Sequence, residues 1–217
     1  MKNIYTCLII IFFCCIHTGC SVALKPAAQE EIKTYLLELN TNVSVNPPLF
    51  AANDAPVVMI APMKATSGFE TDEMIYTTDE LFAHKVFAMN RWARPPAQML
   101  TTVISQSLGR SGLFKAVIEN STFSEADLTI FSELLCIRQV FHGNMQQQPE
   151  SLKSHVELEI KITVVSNRNG NVLCQKDFFI QKTADRPDPY AGVKALSSAV
   201  ESFSSDLLSF LIISLSR

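Results

Sequence analysis

The sequence lacks almost every residue arrangement that chemistry on a substrate requires. It contains no Gly-x-Ser-x-Gly, Ser-x-x-Lys, His-Glu-x-x-His or glycine-rich phosphate loop, and Gly109-Arg110-Ser111-Gly112 is one residue short of the first of these. No Cys-x-x-Cys and no Cys/His spacing suited to zinc occurs. The four histidines, His17, His84, His142 and His155, are scattered, and each reads as a solvated or satisfied side chain rather than a ligand. Catalysis is therefore disfavoured, and no cofactor or metal is expected. Basic runs and basic–aromatic interleaving are also missing, and the formal net charge is −3, which argues against nucleic acid as a partner. There is no internal repeat, heptad run or low-complexity tract. A chain of 217 residues holds one substantial domain, or two very small ones, with a real core.

What is present begins at the N-terminus. Met1-Lys2-Asn3 is a small positive segment, and Ile4 to Ile16 is an apolar run of 13 residues. Such a run is too short for a hydrocarbon core, which needs about 20 residues, so residues 1–19 read as a secretory signal. Thr18-Gly19-Cys20 then resembles the lipobox of bacterial lipoproteins, in which the cysteine thiol receives a diacylglycerol and becomes the new N-terminus. His17 stands where that pattern usually has an aliphatic residue. The alternative is an ordinary cleavable signal that leaves Cys20 as a plain thiol. Lipidation is the preferred reading, because a thiol at a mature N-terminus has no structural use and a lipid does. Residues 20–31 form a polar tether. Charged residues make up 18% and apolar residues 47% of the chain, a dry composition for an exported protein that a well-packed core mostly explains. Of the remaining cysteines, Cys7, Cys14 and Cys15 lie in the signal. Cys136 and Cys174 lie in strand-like runs and either pair, if their Cα atoms come within about 7 Å, or stay free as small hydrophobes.

Residues 32–217 read as a single domain. Ile32 to Leu39 alternates as a first strand, and Asn40 to Pro56 is a loop. Val57 to Pro62, continuously apolar, fits a strand buried on both faces. Thr66-Ser67-Gly68 turns the chain, Met74 to Thr77 is a short strand, and Phe82 to Trp92 is another. Pro95-Pro96 starts a helix with a stripe of Met99, Leu100, Val103, Ile104 and Leu108, closed by Gly109 or Gly112. Leu113 to Glu119 is a strand. Leu128 to Phe141 is a longer one whose phase slips near Leu134-Leu135, as at a bulge. Val156, Leu158, Ile160, Ile162 and Val164 alternate with His155, Glu157, Glu159, Lys161 and Thr163, giving one dry and one solvated face. Asn169-Gly170 signals a hairpin to a returning strand over Val172 to Gln181. A C-terminal helix presents Leu196, Val200, Phe203, Leu207, Phe210 and Leu211 on one face. Its Leu207 to Leu215 stretch is too short to span a bilayer and reads as a buried helix end. The order predicts an α+β two-layer sandwich of a largely antiparallel sheet with two amphipathic helices.

The densest special residues are Arg91, Trp92, Arg94, Pro95 and Pro96, around the one tryptophan of the chain. Trp and Arg are enriched at binding hot spots, so this stretch is the candidate partner-binding surface, and Trp92→Ala is expected to leave folding intact while losing a partner. The competing reading makes Trp92 a plug in the corner between strand and helix.

The chain also resembles the auxiliary lipoprotein component of ABC-type transporters, the lipoproteins that accompany Mce-domain lipid-transport systems. The resemblance rests on Tyr35-x-Leu37, Val57-Val58-x-Ile60-x-Pro62, Met74-Ile75-Tyr76, Arg91-Trp92-Ala93-x-Pro95-Pro96 with Met99-Leu100, and Ser111-Gly112-Leu113-Phe114. His84-Lys85 departs from the family, which more often has aromatic or small residues there. The resemblance implies a non-enzymatic domain, lipid-anchored at the periplasmic face of the outer membrane. Its implied partners are an Mce-domain protein and an ABC permease/ATPase complex that move phospholipid or another apolar solute. Ser21 after the lipidated cysteine favours the outer membrane. A lipid-binding carrier is the alternative, and it would need an apolar cavity of about 300 Å³ or more.

Overall fold

The computed structural model describes residues 31–38, 54–78, 83–119, 126–143 and 152–216. The signal, Cys20, the tether through residue 30 and most of the loop expected before Pro56 lie outside the described residues. Among the described residues, nine strands and two helices follow in the order β1 (Lys33–Tyr35), β2 (Val57–Ile60), β3 (Lys64–Ala65), β4 (Glu73–Thr77), β5 (Lys85–Trp92), α1 (Pro96–Ser111), β6 (Ala116–Glu119), β7 (Leu128–His142), β8 (Lys153–Ser166), β9 (Val172–Ala184) and α2 (Pro189–Leu215). The architecture is the expected α+β sandwich, one mixed sheet with both helices packed against it.

Strand β7 is the spine. Along one edge it pairs antiparallel with β8 over its full length, and β8 pairs antiparallel with β9. Along the other edge three short strands ride in succession, all parallel: β2 opposite Leu128–Ile130, β3 opposite Glu133–Leu134, and β4 opposite Gln139–Val140. β6 extends the sheet beyond β2, and β5 then β1 extend it beyond β4. The long antiparallel ladders dominate, as expected. The parallel pairings carry no local signature, because each joins segments far apart in sequence. β1 is shorter than the eight-residue reading of Ile32 to Leu39, since only Lys33–Tyr35 finds partners, opposite Asn90–Trp92. β2 is dry on one face only: Val58 and Ile60 are fully buried, while Val57 and Met59 are half-buried.

The bulge falls where the phase of β7 slips. Leu134 faces Ile160 and Cys136 faces Glu159, so Leu135 is the extra residue. Beyond it the register resumes, which keeps Ile130, Leu134 and Ile137 on the face that β8 dries with Val156 to Val164. Gly170 has φ 72° in the β8–β9 turn, and its N–H donates to Ser166 O at 2.8 Å, as the Asn-Gly signal requires.

α1 starts with Pro96 in its first turn and ends at Gly112 in the left-handed conformation, φ 73°. Its predicted stripe is buried throughout. α2 is capped by Asp188, whose carboxylate accepts from Ala191 N at 2.8 Å. By length and composition α2 could cross a membrane. Its Leu196, Val200, Phe203, Leu207 and Leu211 are instead spent in the core, where Phe178 meets Phe203 edge-on at 5.3 Å. Cys136 and Cys174 are both free. They stand on strands separated by β8, opposite Glu159 and Val164, hence on opposite faces of the sheet.

α2 is seated on the sheet through its one glycine. A Cβ added at Gly192 would fall 2.7 Å from Gln139 Cδ. Gln139 is buried, and its amide N–H groups donate to Ser154 Oγ at 2.9 Å and to Asp188 O at 3.2 Å. Gly192→Ala must push that amide away and separate the buried Gln139 amide from the buried Ser154 hydroxyl, while the Asp188 carbonyl keeps its bond from Gly192 N. Each orphaned group costs about 1–3 kcal/mol, against about 1 kcal/mol gained from helix propensity. The expected net is a destabilisation of about 1 kcal/mol in urea unfolding. With Gln139→Ala in the background the same substitution becomes neutral or stabilising.

Candidate functional site

The Arg91–Pro96 stretch is where β5 ends and α1 begins. Two backbone hydrogen bonds fix the corner from neighbouring chain: Trp92 N donates to Asp72 O at 2.8 Å, and Ala93 N to Tyr35 O at 2.7 Å. Pro95 then has φ −48° and ψ 133°, extended as a residue before proline must be. Its carbonyl accepts from Gln98 N at 3.0 Å, opening the helix. The side chains divide sharply. Trp92 is 2% exposed and belongs to the main hydrophobic core, and Pro96 is buried with it. Arg91 is half-buried and bends back, its Nη1 donating to the carbonyls of Phe87 and, at 3.0 Å, Asn90. Ala93 and Arg94 are exposed, and Pro95 half-exposed. The tryptophan is thus the corner plug, and its indole does not reach the surface. What the corner offers outward is the Arg94 guanidinium on a rigid turn, with Arg91 behind it.

A second constellation lies on the sheet face away from the helices, where the alternation suggested a plain solvated exterior. Arg138, Glu157 and Gln181 stand in one row across β7, β8 and β9. Arg138 Nε donates to Glu157 Oε2 at 2.7 Å, and Gln181 Nε2 to Glu157 Oε1 at 3.0 Å. His155 Nε2 lies 3.3 Å from the same Oε1. Glu157 is only 9% exposed. Burial pushes its carboxyl pKa up, but the hydrogen bonds from Arg138, His155 and Gln181 outweigh it and hold the pKa below the ordinary glutamate range. An ionised carboxylate only accepts, so His155 presents an Nε2–H to it, and the other ring nitrogen, Nδ1, lies 2.8 Å from His142 Nε2. Sequence reasoning missed this cluster because Glu157, Glu159 and Lys161 alternate as exposed residues do. The missing signal was the pairing partner Arg138, which local periodicity does not assign.

The arrangement has no nucleophile. Cys136, on the same face, has its thiol pKa pushed up to about 11, chiefly by burial, which leaves it protonated and unreactive. Among the described residues no group of three or more His, Cys, Asp or Glu could hold a metal ion. Two of the cavities among the described residues open on the surface. One, of about 360 Å³, lies beside β7 and is lined by Pro62, Lys64, Phe131, Glu133 and Lys161. The other, of about 230 Å³, lies between the end of β9 and α2.

A family model described as ABC-type transport auxiliary lipoprotein component matches residues 35–207. Among solved structures, a Xanthomonas campestris protein is similar, with a TM-score of 0.68 at 15% identity over 84% of this chain and 96% of that one. An uncharacterized protein aligns with a TM-score of 0.57 at 16% identity over 84% of this chain and 99% of that one. A hypothetical protein from Chlamydia trachomatis aligns with a TM-score of 0.50 at 8% identity, covering 73% and 96%. At these identities the likeness establishes the fold. None of the curated proteins matches the chain.

Proposed function

The chain belongs to the ABC-type transport auxiliary lipoprotein component family, and on that premise we propose that it acts as a docking module held at a membrane by its N-terminal lipid. Membership makes it a lipid-anchored, extracytoplasmic and non-catalytic component that serves an ABC-type transport system. The finer reading is ours: Cys20 carries the lipid and the anchor lies in the periplasmic face of the outer membrane. The partners are an Mce-domain protein with its ABC permease and ATPase, and the cargo is phospholipid or another apolar solute. A diacylglyceryl group, with two acyl chains, gives lasting attachment and raises the effective concentration of the domain near its partner.

The observation that carries the docking reading is the corner after β5, where two backbone hydrogen bonds and a buried Trp92 hold Arg94 outward. A backbone already fixed at the corner loses little freedom on binding. The carrier alternative has weaker support, since both cavities described above are open and lined in part by lysine side chains. Arg94→Ala is expected to keep the folded stability close to the parent, and Arg91→Ala, which gives up the bonds to the carbonyls of Phe87 and Asn90, to cost about 1 kcal/mol; the two together are expected to lose co-purification with the Mce-domain partner by about tenfold or more. Undiminished co-purification would overturn the assignment of this corner as the docking site.

A further inference from the structure

Strand β9 is the outermost strand on its side of the sheet. It pairs with β8 and with nothing else among the described residues, over the 13 residues Val172–Ala184. A free edge of that length presents a row of backbone N–H and C=O groups that a further strand could take up. Natural edges are protected by proline, bulges, covering segments or charge. β9 has no proline, its one register shift lies at its start, between Val164 and Val165 of β8, and the protection it does carry is charge, at Lys176, Asp177 and Lys182.

What lies beside the edge is not featureless. The cavity of about 230 Å³ is bounded by Lys182, Thr183 and Asp185 on the strand side and by Ala191, Lys194, Ala195 and Ser198 on α2. Those helix positions recur at helical spacing, so one face of α2 runs along the end of the edge. Ala191 and Ala195 are small and buried, which opens a gap between helix and strand, while Lys194 is exposed on its rim. Lys182 stands on the helix-side face of β9, opposite Val156. Lys194 is tied only loosely to Asp185, at 3.6 Å with both side chains well exposed, a pair of little energetic weight.

We propose that the β9 edge, with the groove between Lys182 and Lys194, receives an extended acidic segment of a partner protein. The segment would add to the sheet as a tenth strand and place a carboxylate between the two ammonium groups. Backbone pairing along the edge supplies the affinity, and the two lysines select an acidic side chain or chain end at the groove. The inference goes beyond transporter docking and stands whether or not the Arg94 corner binds a partner. A second copy of this chain paired centrally on the same edge is disfavoured as occupant. Antiparallel pairing of β9 with itself about Phe179 would set Lys176 opposite Lys182 on the same face, and like charges directly opposed across strands are destabilising.

The test uses the full acylated chain in detergent and a synthetic peptide of about ten residues alternating valine and glutamate, with a valine–lysine peptide as control. The acidic peptide is expected to slow amide hydrogen exchange along β9 and to bind about tenfold more tightly than the basic one. Lys182→Glu with Lys194→Glu should remove about tenfold of that affinity, and N-methylation of alternate peptide amides should abolish it. Both lysines are at least partly exposed, so this variant folds. Any of three results would overturn the proposal: no protection of β9 by either peptide, binding indifferent to the charge reversal, or a dimer in sedimentation whose β9 amides are already slow.

Discussion

Trp92→Ala unfolds at a markedly lower denaturant concentration than the parent, with a loss of about 3–5 kcal/mol, the range for truncating a buried aromatic side chain. The residue is 2% exposed and sits in the main core, at the corner where β5 turns into α1. Removing the indole leaves a void lined by atoms that the corner cannot collapse upon. Its backbone is pinned on one side by Asp72 and on the other by Tyr35, so relaxation is limited and the upper part of the range is favoured. Arg94→Ala, whose side chain is exposed, stays within about 0.5 kcal/mol of the parent. Equilibrium urea unfolding followed by far-ultraviolet circular dichroism separates the two. A Trp92→Ala loss below about 1 kcal/mol would contradict the plug. The consequence for functional work is direct: a Trp92 variant that loses its partner has lost its fold first, and only the arginine variants report on docking.

That reversal shows what a sequence of this kind carries and what it withholds. Elements written in local periodicity were legible: the Val156–Val164 alternation of β8, the α1 stripe from Met99 to Leu108, the Asn169-Gly170 turn, and the slip at Leu134-Leu135 that the structure resolves as one extra residue. Each depends on neighbours a few positions away. The parallel seating of β2, β3 and β4 along β7 depends on pairings such as Val58 with Leu128 and Tyr76 with Gln139, and no local pattern encodes them. The same limit hid both features of the candidate sites. Trp92 has the composition of a hot spot, and only the packing of α1 onto the sheet decides that its ring turns inward. Glu157 has the spacing of a solvent-facing residue, and only the β7–β8–β9 register brings Arg138 and Gln181 to it.

Glu157 is where that register has its largest energetic consequence. Its carboxylate and the Arg138 guanidinium have side chains only 12% and 19% exposed, so each is largely withdrawn from water and depends on the other. Glu157→Ala leaves the guanidinium without its counter-charge and Gln181 and His155 without their acceptor. Breaking a buried pair from one side costs about 3–5 kcal/mol, and the residual exposure here places the expected loss near the lower end. Replacing both partners, Arg138→Met with Glu157→Leu, should recover most of that loss, because two apolar side chains avoid the desolvation that the pair must offset. Acid discriminates further. The folded-state pKa of Glu157 lies below its unfolded value, so its contribution is fully present above the ordinary glutamate pKa and is lost as the pH falls through the lowered one. The parent should therefore lose stability through that acidic window, while the Met/Leu double variant keeps a flatter profile there. If the two profiles fall in parallel, the pair is not the acid-sensitive element of this face. If the double variant is as damaged as Glu157→Ala, then Gln181 and His155, rather than the ion pair, hold the open face of the sheet together.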